Sequence, residues 1–183
     1  THTPLAGRKS VLRMLKFHKT IPGGENASID RMMNETATRE TFRIKGESTI
    51  TVNDYQNGRK FDDALCYSFY PIDLHTKDGV VPKHLKRGVV PTIPRGSLIP
   101  KGSTNLMVAG RCLSSDRYAN SAARVQASCM GMGQAAACTA VLAAKSSTTP
   151  KEVPLDQIHA LLREHGAIAV SYTHLRAHET HRY

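Results

Sequence analysis

The chain has no tryptophan, and aromatic residues make up only 5% of it. That is too few flat side chains for a platform on which nucleic-acid bases stack. It contains no uninterrupted run of about 18 apolar residues, so no membrane-spanning helix is expected. Its four cysteines, Cys66, Cys112, Cys129 and Cys138, form no C-x-x-C pair. This argues against a zinc ribbon or a thioredoxin-type couple and leaves reduced, partly buried thiols as the expectation. A phosphate-cradling G-x-G-x-x-G turn is also missing. Its nearest approach, Gly131-x-Gly133, lies inside a helical pattern with no strand before it. There is no initiator Met and no signal-peptide pattern at Thr1, so the true N-terminus is expected to lie upstream.

Acidic residues are the other shortage: 25 Lys and Arg face 15 Asp and Glu, a formal charge of +10. Such an excess suggests an anionic partner, nucleic acid or phosphate. The basic residues are scattered along the chain, however, and form no single stripe. An acidic half elsewhere in a longer protein would leave the same excess. A basic anion-binding or nucleic-acid-binding domain therefore stands as the alternative reading, and no nucleic-acid partner is expected.

The chain is rich in small residues over Asn105 to Lys145. An apolar segment, Leu106-Met107-Val108-Ala109, stops at Gly110-Arg111 and reads as a short strand. A polar loop follows from Cys112 to Ser121. Then Ala127, Ser128, Gly131, Gly133, Ala135, Ala136, Ala137 and Thr139 read as a helix that can approach a backbone or a flat ligand closely. The first turn of such a helix carries unpaired N–H groups and partial positive charge. Strand, glycine turn, loop and helix together suit an electron-rich ligand group.

This stretch resembles the C-terminal segment of FAD-dependent oxidoreductases of the glutathione-reductase-like class. Asn105-Leu106-Met107-Val108-Ala109-Gly110-Arg111-Cys112 and Arg124-Val125-Gln126-Ala127-Ser128-Cys129-Met130 carry the likeness. Upstream, Arg39-Glu40-Thr41, Tyr70-Pro71-Ile72-Asp73-Leu74-His75 and Pro94-Arg95-Gly96-Ser97-Leu98-Ile99-Pro100 fit the same family in the same order. The resemblance implies an α/β fold: the C-terminal part of a two-domain FAD-binding architecture. Residues 1–100 would end a β-rich substrate domain, 101–148 would be the returning FAD-binding segment, and 149–169 a terminal helix. It implies FAD as cofactor, hydride transfer to or from a small-molecule substrate, and an N-terminal half of the same protein that supplies the pyrophosphate site. Without that half the chain is expected to be inactive by itself.

The resemblance also assigns roles. Gly110 and Arg111 stand where relatives place a glycine and an acidic residue that bonds the ribityl chain. Arg111 departs from that wider pattern and could bond ribityl or phosphate oxygens, or pair with a carboxylate. The amides of Val125, Gln126 and Ala127 would face the flavin. Ala127 replaces a frequent proline, which leaves the helix start less defined. His75 is the candidate base, with Asp73 to orient it and Arg39 to bind substrate charge; a solvated surface histidine is the plain alternative. Tyr118 and Arg124 could line the same pocket. Ser97 is a poor nucleophile candidate, since no G-x-S-x-G elbow occurs.

Elsewhere the pattern suggests a short helix around Val11 to Phe17 and another from Ser28 to Met33. It suggests strands near Phe42–Ile44, Ser48–Thr51 and Cys66–Asp73, a helix from Val52 broken at Asn57-Gly58, and a turn at Lys77-Asp78-Gly79. Val89–Ile93 and Gly96–Ile99 read as extended, and Leu155 to Arg163 as an amphipathic helix ended by Gly166. From Val170 onward the chain resembles the translation of a transposase-type sequencing adapter. His174, His178 and His181 are accordingly read as a non-native tail, with no metal site. One expectation follows for the purified chain. Lacking the pyrophosphate turn, it binds free FAD poorly, and a flavin-fluorescence titration should show no stoichiometric binding at micromolar concentrations; tight one-to-one binding would contradict this.

Overall fold

The structure is a computed structural model that describes residues 4–35, 39, 40, 42–76, 79, 80 and 82–170. Thr41, the Lys77-Asp78 turn and the tail histidines His174, His178 and His181 lie outside the described residues. The chain divides into two compact units, Thr1–Arg39 and Glu40–Tyr183.

The first unit carries α1 (Pro4–His18), longer than the sequence pattern suggests. It has no buried residue and ends in a basic turn with Lys16 and His18, the favourable sign at a helix C-terminus. Residues Ser28 to Met33 do not form the expected helix. The segment has no buried face to repay the cost of nucleating one turn.

The second unit is a mixed α/β layer. In it α2 (Val52–Gln56) starts at a capping box, Thr51 with Asp54, and stops at Asn57 before the left-handed Gly58 (φ 64°). Next, β1 (Ala64–Tyr67) pairs antiparallel with β4 (Thr92–Pro94), with a bulge between Ala64 and Cys66. The short β2 (His75–Thr76) and β3 (Gly79–Val80) form a second antiparallel pair. Three helices complete the unit: α3 (Arg117–Ala123), α4 (Gln126–Lys145) and α5 (Leu155–Glu164).

The core follows from the small residues. In α4, Ser128, Met132, Ala135, Thr139 and Ala143 are buried and recur at helical spacing. Gly131 lies over β1: a Cβ there would sit 3.6 Å from the Cys66 Cβ. Ile158 and Leu162 of α5 close the core with Leu65, Ile93, Leu98 and Leu113. His159 is buried as well, its Nε2–H donating to the Ala64 carbonyl at 2.8 Å. By length and composition alone α4 could cross a membrane. Here it packs against β1 and α5 as a core helix. Val170 is buried with Phe61 and Ala64, so the fold includes the first residue of the expected tail.

Several expected strands take another form. Leu106–Ala109 is extended but has no strand partner among the described residues; Val108 donates one backbone bond to Leu98 at 2.8 Å. The segments around Phe42–Ile44 and Ser48–Thr51 contribute isolated bridges, Gly46 to Pro100 and Ile50 to Ser115. Arg95–Leu98 is a 3₁₀ turn instead of an extended segment, because the Asp63 carboxylate accepts the Gly96 N–H at 2.7 Å. The loop expected to run to Ser121 ends early: Asp116 caps α3 through the Ala119 N–H at 2.8 Å.

The second oxygen of Asp116 accepts the Val52 N–H, so one carboxylate ties the starts of α2 and α3 together. Asp116→Ala should lower unfolding free energy by about 2 kcal/mol in urea titration, because two amides lose their acceptor at once. A change below about 0.5 kcal/mol would show that water replaces both bonds.

Candidate functional site

A charged cluster gathers at the N-terminal end of α4. Arg124 directly precedes the N-cap residue Val125. Its side chain is only 7% exposed. Nε donates to Glu40 Oε1 at 3.1 Å, and Nη2 donates to the Asp73 carbonyl at 3.2 Å. The Asp73 carboxylate lies 3.9 Å from the same guanidinium and 3.4 Å from His75 Nε2. The Asp73 amide donates to Ser121 Oγ at 3.2 Å, which ties this segment to α3. Asp73 and His75 therefore lie together, and Arg124 joins them. Glu40 was not expected in this role; its place beside Arg39 in the Arg39-Glu40-Thr41 motif was the only signal. Arg39 ends the first unit and is exposed.

The turn at Gly110-Arg111 lies against the same end of α4. Gly110 has φ 88°, a left-handed conformation that a side chain would strain. A Cβ there would stand 3.7 Å from Cys129 Sγ. Asn120 Nδ2 donates to the Arg111 carbonyl at 3.1 Å, fixing the turn to α3. The Arg111 side chain is exposed. Burial pushes the Cys129 thiol up, the nearby Arg111 charge works against that shift, and Cys112 adds to it.

No side chain caps α4, and both Gln126 and Ala127 are exposed. The first turn thus has no side-chain acceptor for its amides and keeps its partial positive charge. On its inner side the turn is pinned by a buried hydroxyl chain: Ser128 Oγ to Ser68 Oγ at 2.8 Å, and Ser68 Oγ to Tyr55 OH at 3.0 Å. A groove of about 400 Å³ runs beside it, lined by Tyr67, Phe69, Ala127, Met130 and Gly131 among others. Gly110, Arg111, Val125, Gln126 and Ala127 are hence gathered around one uncapped helix end.

Residues 1–162 match the family described as FAD dependent oxidoreductase. The chain belongs to that family. No curated protein and no solved structure matches it. Membership makes the protein a flavin oxidoreductase with FAD as its cofactor, acting on a small-molecule substrate. The residues of the site fit that cofactor: an uncapped helix start for an anionic edge, and a left-handed glycine that keeps the adjacent turn free of a side chain. The family match also favours the enzyme over the anion-binding alternative, which rested on net charge alone.

The thiols differ sharply across the site. Cys66 lies beneath Gly131, and burial pushes its pKa up to about 12. At pH 8 it should hold roughly a thousandfold less thiolate than an unperturbed cysteine. Limited iodoacetamide labelling with peptide mapping should modify Cys112 and Cys138 while sparing Cys66, and should reach all four only in urea. Labelling of Cys66 at the same rate as Cys112 in the folded protein would contradict this packing.

Proposed function

We propose that the protein transfers a hydride between a small organic substrate and FAD, with His75 as the base and α4 as the cofactor-facing element. The observation that carries the proposal is Arg124. It holds Asp73, and through Asp73 reaches His75, at the residue before the uncapped start of α4. A proton-handling group and a site suited to an electron-rich ring thus share one ion-pair network.

When bound, FAD supplies the two-electron chemistry at N5. The chain's own residues do the rest. His75 takes a substrate proton, and Asp73, at Nε2, stabilises the imidazolium that results. Arg124 and Glu40 keep Asp73 in place. The partial charge at Val125, Gln126 and Ala127 favours the negative edge of the cofactor. Arg111 bonds ribityl or phosphate oxygens, and Arg39 binds substrate charge. Residues 1–100 act as the end of the substrate domain, 101–148 as the FAD-binding segment and 149–169 as its terminal helix; 170–183 is a non-native tail, although its first residue, Val170, packs on Phe61 and Ala64. The pyrophosphate site comes from an N-terminal half of the same protein, without which the chain has no turnover.

Two variants in the flavin-loaded, full-length enzyme separate binding from chemistry. Arg111→Ala removes a charge-assisted bond and should weaken FAD retention roughly tenfold to a hundredfold. His75→Ala should keep its flavin but slow anaerobic flavin reduction by substrate roughly a hundredfold. Wild-type reduction by the His75 variant would leave a solvated histidine. Full flavin occupancy in the Arg111 variant would turn that side chain away from the cofactor.

A further inference from the structure

A cavity of about 670 Å³ opens beside Ile72 and Leu74. This is within the size range of small-molecule sites. Val52, Ile72 and Leu74 provide an apolar wall, Gln56 and Tyr118 add polar groups, and Lys83 is the one charged side chain among the described lining residues. Leu74 lies between Asp73 and His75, and Tyr118 is on α3, which also receives the Asp73 amide through Ser121. Lys83 is held in register by two backbone bonds to Ile72, at 3.0 and 2.9 Å.

Lys83 is exposed, and no carboxylate among the described residues pairs with it. Three nearby described carboxylates are engaged elsewhere. Asp54 holds Thr51 and Arg59. Asp73 faces Arg124 and His75. Asp116 accepts two backbone amides. His84, Lys86 and Arg87, all exposed, follow Lys83 in the chain and add positive potential.

We infer that this cavity binds a small molecule with an apolar body and a single carboxylate, the body against Val52, Ile72 and Leu74 and the carboxylate at Lys83. That its occupant is the oxidised or reduced substrate rests on the reading of His75 given above; the binding itself does not.

The absence of tryptophan makes the test direct. Tyr118→Trp places a single indole on the cavity wall. Titration with decanoate should shift its emission saturably, and decanol, of equal length but uncharged, should bind roughly tenfold more weakly. Adding Lys83→Met should erase that difference and leave decanol unchanged. Equal affinity for the two probes, or an unmoved indole, overturns the proposal. Amide shift mapping on the unsubstituted chain locates the bound probe without the reporter. Decanoate should move Gln56, Ile72 and Leu74; shifts confined to Phe69, Met130 and Ile168 would place the ligand in the α4 groove and refute the assignment. Neither experiment requires flavin. A failure here leaves the hydride-transfer reading standing, and loss of the His75 role would leave the binding result intact.

Discussion

A guanidinium taken almost wholly out of water must be surrounded by acceptors, and the layout of the site at α4 follows from that requirement. Arg124 meets it with Glu40 on one side and Asp73 on the other. The planar fork of arginine can serve both partners at once, which a lysine ammonium cannot do with the same geometry. Desolvating such a group costs several kcal/mol unless its partners are held in place. They are held here: Asp73 is bonded to α3, and the chain around Ile72 is bridged to Lys83. Through Asp73 the network that satisfies Arg124 also reaches His75.

The remaining layers keep the start of α4 both rigid and open. On the inner face, Gly131 lets the helix approach Cys66, and the Ser128–Ser68–Tyr55 hydroxyls satisfy each other in the core. Deleting Ser68 would strip the Ser128 hydroxyl of its partner, whereas Tyr55 keeps the Tyr70 carbonyl. On the outer face no cap competes for the first amides. The Gly110 turn, fixed through Asn120, keeps a side chain out of the adjoining space. The helix start is held from inside and carries no side-chain cap.

Much of this was legible in the sequence. The small-residue run, Gly110 and the Tyr70–His75 segment marked the helix, the turn and the candidate base, because glycine, alanine and histidine each carry a local physical meaning. The α5 pattern of Leu155, Ile158, Leu161 and Leu162 likewise became the observed helix. What was not legible depended on distant partners. Leu106–Ala109 has the composition of a strand, yet composition does not provide a neighbouring strand. Gly96–Ile99 has an extended pattern, but its shape is set by Asp63, more than thirty residues away. Glu40 looked like one charge among many until Arg124, 84 residues on, gave it a role.

The central claim is that Arg124 and Asp73 act as one unit that ties the start of α4 to His75. A double-mutant cycle with Arg124→Met, Asp73→Asn and the combined variant, followed by urea unfolding, tests it most directly. A coupling energy of about 1–2 kcal/mol between the two positions is expected, since each residue's burial depends on the other. Additivity to within about 0.3–0.5 kcal/mol would contradict the claim and leave His75 positioned by something else.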